Sequence, residues 1–189
     1  QIGYVILGIG LGTPLGIAGG LFHLFNHSIF KSLLFLNSGA VEYATGTRDL
    51  QKMGGLIHKM PFTGTTSLFA SMSIACIPPF NGFWSKLIII VACVHAGHPG
   101  YALWAVIASI LTLASFMKVM KYAFWGNLKG KMAGVKDVPV FMKLSMGLLA
   151  LICLVGGILL MPDLSTVFLT KASRVLVDGV QYAVNVLGG

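Results

Sequence analysis

Charge is scarce in this 189-residue sequence: 10% of its residues are Asp, Glu, Lys or Arg, and only five are acids, against a hydrophobic share of 56%. Mean hydropathy is +0.87. A soluble domain carries roughly 25% charged residues, so a soluble class is excluded and an integral membrane protein is expected. The acids are Glu42, Asp49, Asp137, Asp163 and Asp178, none in the middle of a clear apolar run. Paired carboxylates, a Ser/His/Asp order, a P-loop and a dinucleotide fingerprint are all missing, which leaves no site for hydrolytic or redox chemistry and no expected cofactor. Cysteine is equally sparse. Cys76, Cys93 and Cys153 lie in apolar runs with no C-x-x-C spacing, so they build neither an iron–sulfur cluster nor a zinc site and are expected to be packing residues. The thirteen Lys and Arg give a formal charge of +8 but cluster between apolar runs, a sign of membrane topology and not of nucleic-acid binding. An initiator Met, a basic n-region and a cleavage site are also lacking, so the chain is no signal peptide and is expected to be the downstream part of a longer polypeptide.

What is present is a series of apolar stretches. Residues 1–12 make only about 18 Å of helix before Thr13 and Pro14, a partial span. Pro14 suits a first helical turn, and the run from there to Ala40 is long enough to cross a bilayer. Residues 42–60 read as a polar connection holding Arg48, Lys52 and Lys59. Residues 61–96 would make a continuous helix of about 54 Å against a hydrocarbon core of about 30 Å. Pro78, Pro79 and Gly82 in "IPPFNGFWSK" are expected to break it, and the freed backbone must then lie against protein or a wet cavity. Further spans are expected over Tyr101 to about Trp125 and Val140 to about Met161, separated by a basic connection, 126–139. That makes an all-α bundle of about five transmembrane helices over 1–161, one of them discontinuous. In 162–189, Lys171, Arg174, Asp178 and Gln181 form one polar stripe, which fits an interfacial amphipathic helix or a final span. Connections 42–60 and 126–139 are rich in Lys and Arg while 95–100 is not, so both are expected to face the cytoplasm.

The stretch "HLFNHSIFK" places His23, His27 and Lys31 at i, i+4 and i+8, a column of about 12 Å along one helix face. Single polar residues often tie membrane helices together, but three ionisable groups in line are costly enough in lipid to suggest a proton or ion path. A metal would also use His at i, i+4, but no H-E-x-x-H glutamate, Cys or further carboxylate joins them on that helix. His58, His95 and His98 lie in connections, as solvated residues. Lys86, on the second half of the broken helix, is either a snorkelling lysine or a switch, since a low-dielectric cavity disfavours its charged form. Lys118 and Lys121 sit at a span end and read as snorkelling.

Together "QIGYVILG" at 1–8, "HLFNHSIFKSLLFLNSGAV" at 23–41, "TGTRDLQKMGGL" at 45–56 and "IPPFNGFWSK" at 77–86 resemble, in order, the antiporter-like subunits shared by respiratory complex I, Mrp-type cation/proton antiporters and membrane-bound energy-converting hydrogenases. The resemblance covers about 1–125. It implies the second inverted-repeat half of a larger helical core, with a discontinuous helix at mid-membrane and an axis of Lys and His. His23, His27, Lys31 and Lys86 match that axis. The loop GTRDLQKMGG looks closer to Mrp and hydrogenase members than to mitochondrial ones. The implied function is proton or Na+ translocation within a multisubunit redox-driven membrane complex of NADH dehydrogenase or hydrogenase type, in a cell's cytoplasmic membrane. A gradient-driven Mrp-type antiporter subunit and a non-conducting structural subunit are the alternatives. Implied partners are other membrane subunits and the lipid bilayer. The family's first repeat, with its own Glu/Lys pair, is not in these residues, so another polypeptide or the rest of a longer chain is expected to supply it.

Overall fold

The computed structural model describes residues 1–157 and 171–177, and every element of regular structure among them is helical. Helix α1 (Ile2–Gly10) turns at Gly12 into α2 (Pro14–Thr45). Thr13 caps α2 by accepting the Gly16 N–H at 3.1 Å, and Pro14 supplies the first residue. The α1–α2 hairpin is built on glycine: a Cβ on Gly8 would meet the Gly16 carbonyl at 2.8 Å, and one on Gly16 would meet that of Gly8 at 2.6 Å. In lipid, where tails are as apolar as leucine, such close backbone approach is a main source of helix association.

Helix α2 continues past the expected end at Ala40 as far as Thr45, so Glu42 is helical and not part of a connection. Nothing between 41 and 45 breaks a helix, whereas Gly46 takes a left-handed φ of +68° and returns its N–H to the Glu42 carbonyl. At 32 residues, about 48 Å, α2 is the central element, touching α1, the split pair α3 (Pro61–Ile74) and α4 (Asn81–His95), and α6 (Val140–Val155). Helix α5 (Pro99–Val119) continues into a π-helical turn, Met120–Phe124. A short helix α7 (Lys171–Val177) lies against α2 and exposes Lys171 and Arg174. The rest of the expected tail stripe, Asp178 and Gln181, and residues 158–161 of the expected last span lie outside the described residues.

Residues 46–60 are not a solvated linker. Met53, Leu56 and Met60 are buried, the first two in a cluster with Val41, Met120, Ala123, Phe124 and Met132. The Gly55 N–H donates to the Trp125 carbonyl at 3.1 Å and Lys129 Nζ to the Gln51 carbonyl, which locks the two basic connections together at one end of the bundle. Asp49 accepts the Gln51 N–H at 2.9 Å, and this bond, with the Lys52 ammonium, holds its carboxyl below the ordinary range. Asp137 caps α3, accepting from Phe62 N–H at 3.1 Å and from the Thr63 hydroxyl at 2.7 Å. His95 ends α4 and so is helical, while His98 stands just before the first turn of α5 and makes no side-chain capping bond.

Pro99–Phe124 is long and apolar enough to cross a membrane, whereas α4 and α6 are shorter apolar helices. On α5 and α6, Trp104, Leu111, Val140, Phe141 and Leu144 are each at least 60% exposed, an apolar surface suited to lipid or to other helices.

Candidate functional site

The break between α3 and α4 spans 75–80, beginning earlier in the chain than the prolines alone suggest. Cys76 takes a left-handed φ of 71°, a position usually given to glycine, and the Cys76 and Ile77 N–H groups turn back to the carbonyls of Ser73 and Met72. Pro78 and Pro79 complete the interruption. Gly82 does not: it is already in the first turn of α4, correcting its expected place in the break. Its role is close approach, since a Cβ there would run into the Ser73 carbonyl oxygen.

Ending α3 in this way leaves the Ile74 carbonyl without a helical partner. Lys86 supplies one. Its side chain, fully buried, runs back from α4 so that Nζ donates to the Ile74 oxygen at 3.0 Å and lies 4.3 Å from the centre of the Tyr4 ring. Among the described residues no carboxylate pairs with it. Its polar surroundings among the described residues are carbonyl and aromatic dipoles, with no opposite charge to offset an ammonium taken out of water.

His23 is also fully buried, and Ser85, the residue before Lys86, lies with its hydroxyl 2.9 Å from His23 Nδ1. On the other side, the Gln1 amide bridges His23 Nε2 and the Ile74 carbonyl, each at 3.3 Å. The Ser85 hydroxyl also contacts the Gly82 carbonyl at 3.2 Å, so its single proton serves either that oxygen or Nδ1, according to the tautomer of the ring. His23 and Lys86 are thus brought to one carbonyl through a single amide. His27 and Lys31 are not. They are partly exposed, His27 edge-on to the Phe30 ring and Lys31 with Nζ 5.2 Å from the centre of the Phe35 ring.

Sequence reasoning missed the polar clasp that holds this geometry. Asn26 and Asn81, both fully buried, exchange two hydrogen bonds: Asn81 Nδ2 to Asn26 Oδ1 at 2.9 Å and Asn26 Nδ2 to the Asn81 carbonyl at 3.2 Å. The Ser73 hydroxyl donates to Asn81 Oδ1, tying the end of α3 to the start of α4. Tyr4 was missed as well; its hydroxyl donates to the Ala105 carbonyl at 2.6 Å and lies 2.9 Å from the Ser109 hydroxyl. A sequence signal existed in each amide, since an Asn in an apolar run needs a partner. Which partner it takes is a tertiary fact.

Comparison with known proteins agrees with this architecture. The chain is 42% identical over 129 residues to a Na(+)/H(+) antiporter subunit of Alkalihalophilus pseudofirmus, covering 68% of this chain and 26% of that protein. It is 34% identical over 180 residues to formate hydrogenlyase subunit 3 of Escherichia coli, covering 84% and 30%. The chain therefore spans about a quarter to a third of the length of these relatives. Its fold superposes on a chain of the Mrp complex from Dietzia sp. DQ12-45-1b with a TM-score of 0.86 at 27% identity, covering 95% of this chain and 41% of that one. Residues 1–112 match the transmembrane family of NADH:quinone oxidoreductases and Mrp antiporters, and the chain belongs to that family.

Proposed function

We propose that this chain is the part of a proton- or Na+-translocating membrane subunit that holds the switch lysine and one limb of the ion path. The single observation that carries this is Lys86: fully buried, without a carboxylate partner among the described residues, and held by a carbonyl that exists as a free acceptor only because the helix is broken. In this scheme a proton arrives along His23, His27 and Lys31, with water closing the gaps at His27 and Lys31. From His23 it passes to Lys86 by way of water beside the Ser85 hydroxyl, since the Ile74 carbonyl that Gln1 and Lys86 share accepts from both and carries no proton. Lys86 in its charged form binds the Ile74 carbonyl, and on deprotonation that bond weakens, which frees the side chain to release in another direction.

Five crossings are proposed: α1, α2, the split pair α3 and α4 acting together, α5, and α6. The locked end bearing 46–60 and 126–139 is placed in the cytoplasm because Lys and Arg collect there. The partner subunits and the driver belong to the whole protein. Redox drive is favoured by the likeness to formate hydrogenlyase subunit 3. Gradient-driven cation/proton exchange is the second reading, favoured by the higher identity to the Alkalihalophilus antiporter subunit and by the Mrp superposition.

Lys86→Ala in the assembled complex, with ion translocation measured in sealed vesicles and normalised to complex content, tests the scheme. A loss beyond tenfold, more than about 1.4 kcal/mol in the limiting barrier, is expected. Wild-type translocation by an intact complex would leave Lys86 as a structural lysine. Topology is tested separately by cysteines placed at Gly130 and Gly97: an impermeant thiol reagent added to intact cells should modify the second and spare the first.

A further inference from the structure

Tyr4 is buried where α1, α2, α4 and α5 meet, and the proposed path gives it no part. Lys86 Nζ lies over its ring, 4.3 Å from the centre, and the His23 ring stands 5.5 Å away on another side. Ile89 and Cys93 of α4 and Ala102 and Ala105 of α5 pack around it. An ammonium within about 6 Å of the centre of an aromatic ring is drawn to its negative face, and more strongly where water is excluded. Fully buried Lys86 is such a case. Of the other titratable groups in the region, His23 is a base and the Cys76 thiol donates to the Gly82 carbonyl at 3.2 Å, so neither supplies a counter-charge.

The far end of the side chain is anchored. The Tyr4 hydroxyl donates to the Ala105 carbonyl at 2.6 Å, and the Ser109 hydroxyl lies 2.9 Å from the Tyr4 oxygen and 3.1 Å from the same carbonyl. Ser109 can therefore donate to the phenol while the phenol donates to Ala105. Among the described residues these are the hydrogen bonds that tie α1 to α5. With its Cα fixed on α1 and its oxygen on α5, the ring has little freedom to turn, so the face that Lys86 meets is held in place. A neutral amine can still donate to the Ile74 carbonyl, but it loses the attraction to the ring. The ring thus distinguishes the two protonation states of Lys86 more sharply than the carbonyl does.

We propose that Tyr4 is a positioning residue for Lys86: its ring, fixed to α5 through the hydroxyl, holds the ammonium at the Ile74 carbonyl and loosens its hold on the neutral amine. The proposal rests on the reading of Lys86 as the switch for its purpose, and on the 4.3 Å contact and the anchored hydroxyl for its existence. It also makes α5 part of the switch, since the carbonyl and the hydroxyl that orient the ring belong to that helix. An aromatic residue without the hydroxyl keeps the hold and loses some of its precision. An aliphatic one loses both.

Two measurements on the intact complex test it. First, Tyr4→Phe and Tyr4→Leu are compared by ion translocation in sealed vesicles, normalised to complex content, together with phenylalanines at the same position that carry one, two and three ring fluorines. Fluorine withdraws negative charge from the ring face while changing its shape little, so a residue that only fills space would not respond to it. Expected are a loss of about threefold or less for Tyr4→Phe, a loss of about tenfold or more for Tyr4→Leu, and a stepwise decline along the fluorine series. A flat series, or equal translocation by Tyr4→Leu and Tyr4→Phe, would overturn the proposal; if Tyr4→Leu fails to assemble, the fluorine series decides. Second, the thermal stability of the complex is measured with the trifluorinated residue, with Lys86→Met and with both. The combination should be less destabilised than the sum of the two, because without an ammonium the ring has no cation to hold. Strict additivity would overturn the contact. A flat series with Lys86→Ala inactive would overturn the role of Tyr4 and leave the proposed function standing. Undiminished translocation in Lys86→Ala, with the stabilities still non-additive, would overturn the function and leave Tyr4 holding the ammonium.

Discussion

The two halves of the His/Lys column on α2 lie in contrasting surroundings. His23 is sealed inside a network in which its ring nitrogens, the neighbouring Asn26 amide and the Lys86 ammonium all find hydrogen-bond partners. His27 and Lys31, one and two turns further, meet aromatic rings and open surface. Spacing alone makes them equivalent. The difference teaches that the broken helix organises only the residues it touches: α4 crosses α2 near Gly19, where a Cβ would lie 2.8 Å from Ile88, and Ser85 and Lys86 can reach no further than His23. Ionisable groups on the outer part of the column need protein or water from elsewhere, because lipid satisfies neither.

The most disruptive way to break this contrast is at Gly82. Gly82→Ala puts a methyl group into the Ser73 carbonyl, and both partners are backbone held by the Asn26–Asn81 clasp, so neither gives way cheaply. The expected result is loss of assembled complex, read by native gel and subunit stoichiometry; normal assembly would mean that the break is looser than this packing implies.

Next in size is the column itself. His23→Ala removes a buried group with two hydrogen bonds and is expected to lower translocation well beyond tenfold. His27→Ala, in a half-open site that water can fill, should fall near tenfold, about 1.4 kcal/mol. Parallel vesicle assays decide it. Equal losses would erase the distinction between the sealed and open halves.

The clasp sharpens the comparison through energetics. Asn26→Ala and Asn81→Ala each leave a buried amide or carbonyl unpaired, at about 1–3 kcal/mol. The double variant should be milder than their sum, with a coupling of about 0.5–3 kcal/mol from thermal stability of the complex. Strict additivity would show that the pair does not act as one unit.

The smallest effect is expected at the locked end. Asp137→Asn keeps the acceptor for the Thr63 hydroxyl but weakens the charged cap on α3 and the 3.9 Å contact with Lys143, a loss of about 1 kcal/mol or less without change in translocation. A translocation defect there would extend the functional region to an end of the bundle whose contacts otherwise only hold the fold together.

Much of this architecture is legible in the sequence, for physical reasons that act locally. Two adjacent prolines cannot continue a helix, so the interruption near 78 follows from covalent geometry, as does the start of α2 at Thr13–Pro14. His23, His27 and Lys31 share a helix face because 3.6 residues make a turn. Polarity places the end of α2 a few residues too early, since the deciding feature is Gly46 and its left-handed φ. Glycine's average penalty in helices assigns Gly82 to the break, whereas its lack of a side chain is needed for contact across the break.

The sequence by itself determined the helices, the interruption and the rarity of the ionisable groups, because these depend on periodicity, proline geometry and the expense of charge in an apolar medium. Only tertiary structure decided that Lys86 meets the Ile74 carbonyl, that His23 belongs to the sealed half while Lys31 does not, and that Asn37 faces a cavity. Those outcomes depend on where separate helices cross, and a crossing is set by packing between segments far apart in the chain, as where Gly19 meets Ile88 and Ile89.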